Sequence, residues 1–376
     1  MLPELRIGEL TAQVAIIQGG MSVGISLAGL ASAVAREGGI GVIGTAGIGM
    51  LEREDSLGVV QRSNQALRHE IRKARGMSNG KGLLGVNIMV ALSNFDELVR
   101  TAIDEKIDII FAGAGLPLNL PMLAIRNMPT KLVPIVSSAR AASIIARRWI
   151  KKFNYVPNGF VLEGPLAGGH LGFKLSEIED PNFSLEKLIP PTLKIAQELE
   201  ERFNRHVPII AAGGIYTGAD IHYFLDLGAS GVQMATRFVT THECDAAIEF
   251  KQAYINSRQE DIRIIKSPVG LPGRVLRNNF VNEVGAGHRR PFKCPYHCII
   301  TCDVKTSPYC IASALINAKL GDLSNGFAFC GSNAYRAKEI VSVRDLMNTL
   351  ENEFCKEAFK KPSNISSREY HNKLAS

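Results

Sequence analysis

Gly159-Phe160-Val161-Leu162 runs without a break into Glu163-Gly164-Pro165-Leu166-Ala167 and then Gly168-Gly169-His170-Leu171-Gly172. This is the pattern of a buried strand that empties into a loop almost bare of side chains, with one imidazole left standing. Glycine lets a backbone approach a flat ligand and take up positive φ. Histidine is the side chain best suited to moving a proton near neutral pH. Taken alone, the stretch reads equally well as a glycine-rich turn with a surface histidine. The rest of the chain decides between them.

Similar short apolar runs recur on both sides of it. They are Val14–Ile17, Gly41–Gly44, Leu83–Asn87, Ile107–Phe111, Lys131–Val136, Gly159–Leu162, Pro208–Ala212 and Gly231–Met234. Each is continuous rather than alternating, as a strand buried on both faces should be. Helical patterns lie between them at Leu27–Arg36, Ser56–Arg75, Asn94–Glu105, Pro121–Arg126, Ser138–Lys151, Ser184–Phe203 and Gly218–Leu227. Ser93-Asn94 and Thr217 stand where N-caps are expected, each before acidic first-turn residues. Eight strand–helix alternations predict an α/β fold of the (β/α)₈ TIM-barrel type. A doubly wound open sheet is the runner-up, but no unit carries GxGxxG with an acid about twenty positions on.

After residue 255 the pattern breaks into the irregular Ser267-Pro268-Val269-Gly270-Leu271-Pro272-Gly273-Arg274, followed by clustered cysteines. The expected organisation is a barrel over 1–257, a smaller cysteine-rich, lid-like subdomain over 258–335, and a C-terminal part over 336–376. In that last part, the helical pattern Ser342–Phe359 packs back on the barrel and the polar tail from Lys360 frays.

Composition excludes several classes. The 376 residues are 46% hydrophobic and 21% charged, those of an ordinary globular protein. The net charge of +7 is spread over short clusters such as Arg147-Arg148 and Arg289-Arg290, without the interleaved aromatics of a nucleic-acid surface. The apolar stretch Gly24–Ala35 is too short for a bilayer, which needs about 20 residues, so no membrane partner is expected. Met1–Glu9 has no secretory h-region, and seven cysteines are an odd number for a disulfide framework. These features predict a cytoplasmic protein with reduced thiols.

In a (β/α)₈ barrel the site lies at the C-terminal strand ends. There the chain places Gln18-Gly19-Gly20-Met21, Asn87, Glu163, Gly168-Gly169-His170, Gly213-Gly214 and Gln233-Met234-Ala235-Thr236. So many small residues imply a broad, flat ligand. The ends of the seventh and eighth strands offer backbone N–H groups and the Thr236 hydroxyl, the place where barrels commonly hold phosphate. Phosphate and a planar ring together point to FMN.

The motifs Ile16-Ile17-Gln18-Gly19-Gly20-Met21, Gly85-Val86-Asn87-Ile88, Ala167-Gly168-Gly169-His170, Ala211-Ala212-Gly213-Gly214-Ile215 and Gly231–Phe238 occur in this order across residues 14–240. In this the chain resembles the nitronate monooxygenases (2-nitropropane dioxygenases), relatives of the FMN-dependent enoyl-[acyl-carrier-protein] reductase II. The resemblance implies that Gly20 and Met21 lie against the flavin and that Asn87 bonds its ring system. It implies that Glu163 and Gly168 line the cofactor, and that Gly214 and Gln233–Thr236 hold its phosphate. Gly19, Gly169 and Gly213 complete the candidate contacts, and His170 would face the substrate as catalytic base. No residue is assigned as a metal ligand. Glu163 and Leu166 depart from the family's usual glutamine and glutamate, and Ala235 from a glycine.

The activity so implied is oxidation of alkyl nitronates or nitroalkanes by O₂ to carbonyl compounds and nitrite. An NAD(P)H-dependent enoyl-thioester reductase is the rival enzyme, and a flavin/iron–sulfur redox module of a larger complex is the rival from another class. A homo-oligomer is compatible with all three. Cys294, Cys298, Cys302 and Cys310 lie outside the family pattern. On a helix the first three would share a face and hold zinc or an iron–sulfur cluster, but the spacing fits no ferredoxin or zinc-ribbon pattern, so buried free thiols are the preferred reading. Cys244, Cys330 and Cys355 are expected in the core.

Overall fold

The computed structural model describes residues 1–51, 58–124, 129–294 and 296–360. The proposed helix start at Ser56, the end at Arg126 and the tail beyond residue 360 lie outside them.

Eight parallel strands form a closed barrel. They are β1 (Ile16–Gln18), β2 (Ile40–Gly44), β3 (Leu83–Met89), β4 (Ile109–Gly113), β5 (Lys131–Val136), β6 (Phe160–Glu163), β7 (Ile209–Ala212) and β8 (Gly231–Met234). Each sits on one of the continuous apolar runs, and closure comes where Gln233 of β8 pairs with Ile17 of β1. The chain is a (β/α)₈ TIM barrel. Its helices are α1 (Ala28–Arg36), α2 (Val59–Ser78), α3 (Phe95–Asp104), the short α4 (Leu120–Leu123), α5 (Ala139–Phe153), α6 (Leu185–Phe203) and α7 (Gly218–Asp226).

Caps fix where several of these begin. Ser138 accepts from Ala141 N–H at the start of α5, and Thr217 and Asp220 form a reciprocal capping box on α7. Helix α1 has no side chain of its own for this task. Asp245 supplies it from 215 to 218 residues away in the chain, accepting from the N–H groups of Leu27, Gly29 and Leu30. The expected cap at Asn94 makes no side-chain bond. Ser93 is instead engaged with the lid, its hydroxyl donating to the His297 carbonyl at 2.7 Å.

Two features were not visible as periodic patterns. An antiparallel hairpin, Leu5–Ile7 with Leu10–Ala12, precedes the barrel. Leu5 and Ile7 belong to the interior cluster with Ile17, Phe111, Val133 and Val161, and so close the end of the barrel remote from the strand C-termini. The second concerns the outer ring. After β8 come only the short α8 (Thr236–Val239) and then α9 (Ile248–Ile255). The place between α7 and α1 is taken by the last helix of the chain (Val343–Phe359), which packs against both.

Between these lie β9 (Ile262–Lys266) and β10 (Pro272–Leu276), an antiparallel pair, then α10 (Asn279–Gly285) and α11 (Ile311–Lys319); the final helix is therefore α12. Val275, Phe280, Tyr309, Ile311, Ala314 and Phe327 form a small separate core here. The sheet of β9 and β10 has a third member, the two residues Gly169-His170, with Gly273 opposite His170 and Arg274 opposite Gly169.

The seat of α12 is tight. A Cβ on Gly218 would stand 2.1 Å from the Leu350 carbonyl oxygen, while Glu353 accepts from Gly218 N–H at 2.7 Å. Gly218→Ala should therefore destabilise the protein by about 1–3 kcal/mol, the usual cost of overpacking. Gly285→Ala, whose Cβ meets nothing within 4 Å, should be neutral or slightly stabilising. Denaturant unfolding of both variants checks this, and equal midpoints would contradict the seat of α12.

Candidate active site

The strand ends surround a cavity of about 560 Å³, which residues after the barrel such as Val269, Leu271, Ile311 and Phe329 also line. Every candidate residue lines it: Gly19, Gly20 and Met21 after β1, Asn87 of β3, Glu163 of β6, Gly168, Gly169 and His170, Gly213 and Gly214, and Gln233 through Thr236. Gln18 does not. It is fully buried and ties β1 to β2, its Nε2 donating to Val42 O and its Oε1 accepting from Val42 N–H.

The glycines have distinct reasons. A Cβ on Gly20 would lie 2.5 Å from the Asn87 Cβ, so the bare backbone there is what lets Asn87 reach the cavity. Gly214 has φ +82°, the left-handed region that side chains rarely adopt. Its carbonyl accepts from Asn333 Nδ2 at 2.7 Å.

The corner expected to take a phosphate differs in detail from the expectation. Helix α7 offers no free N-terminus, because Asp220 accepts from Tyr216 and Thr217 N–H and Glu353 accepts from Gly218 N–H. What remains is the glycine turn after β7 and the N-terminus of α8, where Ala235 is the N-cap and Thr236 opens the helix. The first-turn N–H groups of a helix have no intrahelical acceptors. Thr236 Oγ1 accepts from Gly331 N–H at 3.1 Å, which brings the Cys330-Gly331 backbone of the lid to the same corner.

His170 is held from the lid. Its Nε2 lies 2.7 Å from Ser267 Oγ, and its ring sits 4.9 Å from that of Phe329, centre to centre. Val269 N–H donates to the same serine oxygen, and in the tautomer whose Nε2–H also donates to Ser267 Oγ the Nδ1 lone pair is left free to take a proton. Burial pushes the His170 pKa down to about 4, so the ring is neutral across the physiological range. Glu163 is half-buried against the cavity with no charge partner, and desolvation raises it to about 7. Register places Glu163 beside Ala212, and Ala212 beside Gln233. Gln233 Oε1 is buried without a hydrogen-bond partner.

Ser267, Phe329, Cys330 and Gly331 were not singled out as site residues. Only the Pro/Gly-rich character of 267–274 hinted at a loop; nothing in its periodicity says that it folds over the barrel mouth. The cysteines also differ from expectation. Cys294, Cys298, Cys302 and Cys310 are half-buried rather than core residues, and the first three are not on a helix. Cys244 and Cys330 are buried, whereas Cys355 is half-buried.

Comparison with known proteins settles the family. The profile described as Nitronate monooxygenase matches residues 4–353. The chain belongs to the nitronate monooxygenase family. It is an oxidoreductase of that type. A probable nitronate monooxygenase of Staphylococcus aureus (strain Newman) is 25% identical over 295 residues, 73% of this chain and 78% of that one. The solved structure of FabK from Thermotoga maritima is 26% identical, with a TM-score of 0.70 over 92% of this chain and 94% of that one. The nitroalkane oxidase of Streptomyces ansochromogenes, 20% identical, shares the fold with a TM-score of 0.70 over 93% and 97% of the two chains.

Within this family member, Glu163 and His170 pull the pH dependence of stability in opposite directions. Glu163 binds its proton more tightly folded than unfolded, so its contribution is complete below its ordinary value of 4.5 and is lost as pH rises to about 7. His170 contributes fully above its ordinary 6.5 and loses this as pH falls toward about 4. Glu163→Gln keeps the shape and removes the first of these. In the cofactor-free protein the variant should melt roughly 2–6 °C above the parent near pH 7.5 and close to it near pH 4.5. The same difference at both pH values would show that Glu163 is ionised in the fold.

Proposed function

We propose that the protein is an FMN-dependent nitronate monooxygenase that oxidises alkyl nitronates or nitroalkanes with O₂ to carbonyl compounds and nitrite. The observation that carries this reading is one arrangement: a neutral, half-buried His170 on one side of the cavity and a candidate anion cradle at Gly214 and the start of α8 on another. The residues present fit FMN. The Gly213-Gly214 turn and the N-terminus of α8 suit a phosphate, and no dinucleotide fingerprint accompanies them. Gln233 lines the cavity and its Oε1 has no partner, which leaves it able to accept from a ring N–H. Asn87 stands across the mouth with a donor and an acceptor. Bound there, FMN would supply electron transfer from the substrate and reaction with O₂.

The protein's own part is acid–base and positional. The unprotonated His170 ring takes the α-proton of a nitroalkane, or orients a nitronate that has already lost it. Ser267 and Phe329 hold the ring, and the lid excludes water, which strengthens the electrostatics at the reacting carbon. The working division is a barrel over 1–257, a lid over 258–335 and a C-terminal part over 336–376, in a cytoplasmic enzyme whose partners are small molecules. No helix among the described residues is long and apolar enough to cross a membrane.

His170→Asn should retain flavin and lower turnover of neutral nitroalkane by roughly 10² to 10⁴, the usual worth of a general base. Turnover of preformed nitronate should fall far less. Equal losses on both substrates would make His170 structural, and a parental rate on nitroalkane would end its assignment as base. Running crotonyl-thioester with NADH or NADPH beside them separates the reductase reading, since turnover there without any on nitroalkane or nitronate would replace the proposal.

A further inference from the structure

Residues 288–310 form a connection that nothing described so far explains. Apart from one isolated bridge, Leu92 with Ile299, their described members belong to no helix or strand. Only Ser307 and Tyr309 among their described members are buried, both near its end. Long loops without structure of their own are uncommon in compact domains and need some other source of order. Ordering these residues costs backbone entropy, and no described residue from 288 to 306 is buried to offset it. Yet the segment is placed at a functional position. Ser93 N–H donates to the Cys298 carbonyl at 3.1 Å and Ile300 N–H to the Ala91 carbonyl at 3.0 Å, which fastens it to the loop after β3. Cys298 and Ile299 line the active-site cavity.

The four cysteines of this segment converge. Cys294 and Cys298 are joined by a turn in which His297 takes φ +45° and its N–H points at Cys294 Sγ, 3.3 Å away. Cys302 N–H donates to the Ile299 carbonyl, which folds the chain back toward Cys298. Cys310 is the N-cap of α11, and the next residues, Ile311 and Ala312, line the same cavity as Cys298. The thiols of Cys294, Cys302 and Cys310 all lie near enough to Cys298 to interact with it. All four are free. Arg289, Arg290, Lys293 and Lys305 stand in the segment against a single acid, Asp303, a balance suited to an anionic centre.

We propose that Cys294, Cys298, Cys302 and Cys310 are the ligands of a thiolate-bound metal centre, a Zn²⁺ ion or an iron–sulfur cluster, that orders the lid at the rim of the active site. Four thiolates suit soft metals and complete the coordination of either. No group of three or more such ligands among the described residues is closed enough to hold a metal as it stands. Loading therefore draws the sulfurs together around Cys298, in the way that metal binding and local folding are coupled in small metal modules. The other three cysteines stand apart from this: Cys244 and Cys330 are in the core and Cys355 lies near Met1.

The test uses full-length protein purified anaerobically, then offered Zn²⁺ alone or ferric iron with sulfide and a thiol reductant, and desalted. Metal and acid-labile sulfide per chain are measured separately from flavin content. One Zn²⁺ per chain, or iron and sulfide in cluster proportion, is the expected result, and the arm that loads distinguishes ion from cluster. Cys298→Ser and Cys294→Ser should each lose about tenfold or more of that metal, while Cys355→Ser retains it. Parental melting behaviour before metal is added shows that a variant is folded. Metal content at the level of the Cys298→Ser and Cys294→Ser variants in the parent, or full loading in both variants, would overturn the proposal.

Discussion

Arg274 is 5% exposed and belongs to the lid, yet its guanidinium reaches under the loop after β6 and donates to the carbonyl oxygens of Pro165 and Ala167. A charge taken so far out of water is costly unless its donors are satisfied. Burial accordingly lowers its pKa. What the arrangement secures is the position of the next few residues. The backbone of Arg274 pairs with Gly169, Leu171 N–H donates to the Pro272 carbonyl at 2.9 Å, and His170 is delivered to the cavity between them. Without this clamp the glycine-rich stretch has almost no side chains with which to hold itself.

The barrel supplies the complementary constraint. Closure of eight parallel strands brings groups far apart in sequence to one rim, and register sets their heights. Glu163, Ala212 and Gln233 stand at one level on three neighbouring strands. The polar groups that face the cavity are few and differently tuned: a neutral imidazole, a carboxyl held near neutrality, an amide oxygen with no partner. Groups with displaced pKa values gathered in one apolar cavity are the usual mark of a working site. The lid completes it with Ser267, Phe329 and the Gly331 backbone.

Much of this was legible in the chain because the signals are local. Continuous runs such as Phe160-Val161-Leu162 mark strands buried on both faces, and the residue after each run marks the rim. Thr217 with Asp220 announces the start of α7. The N-terminal hairpin was not legible, since three-residue strands carry no period. Nor was the seat of α12 beside α1, which depends on packing at Gly218 rather than on any pattern. The lid residues escaped for the same reason. Ser267 and Phe329 meet His170 only because β10 adds to Gly169-His170, a pairing that two residues of strand cannot advertise. Ser93 reads as a cap and is in fact spent on the lid.

The central claim is that one mononucleotide flavin occupies this cavity, with its phosphate at Gly214 and the start of α8. Its most direct test is identification of the cofactor released from the purified protein by mass spectrometry, with stoichiometry against chain concentration. The account predicts FMN, one per chain, either as purified or after reconstitution. Release of FAD, or failure of the folded protein to take up FMN, would contradict it.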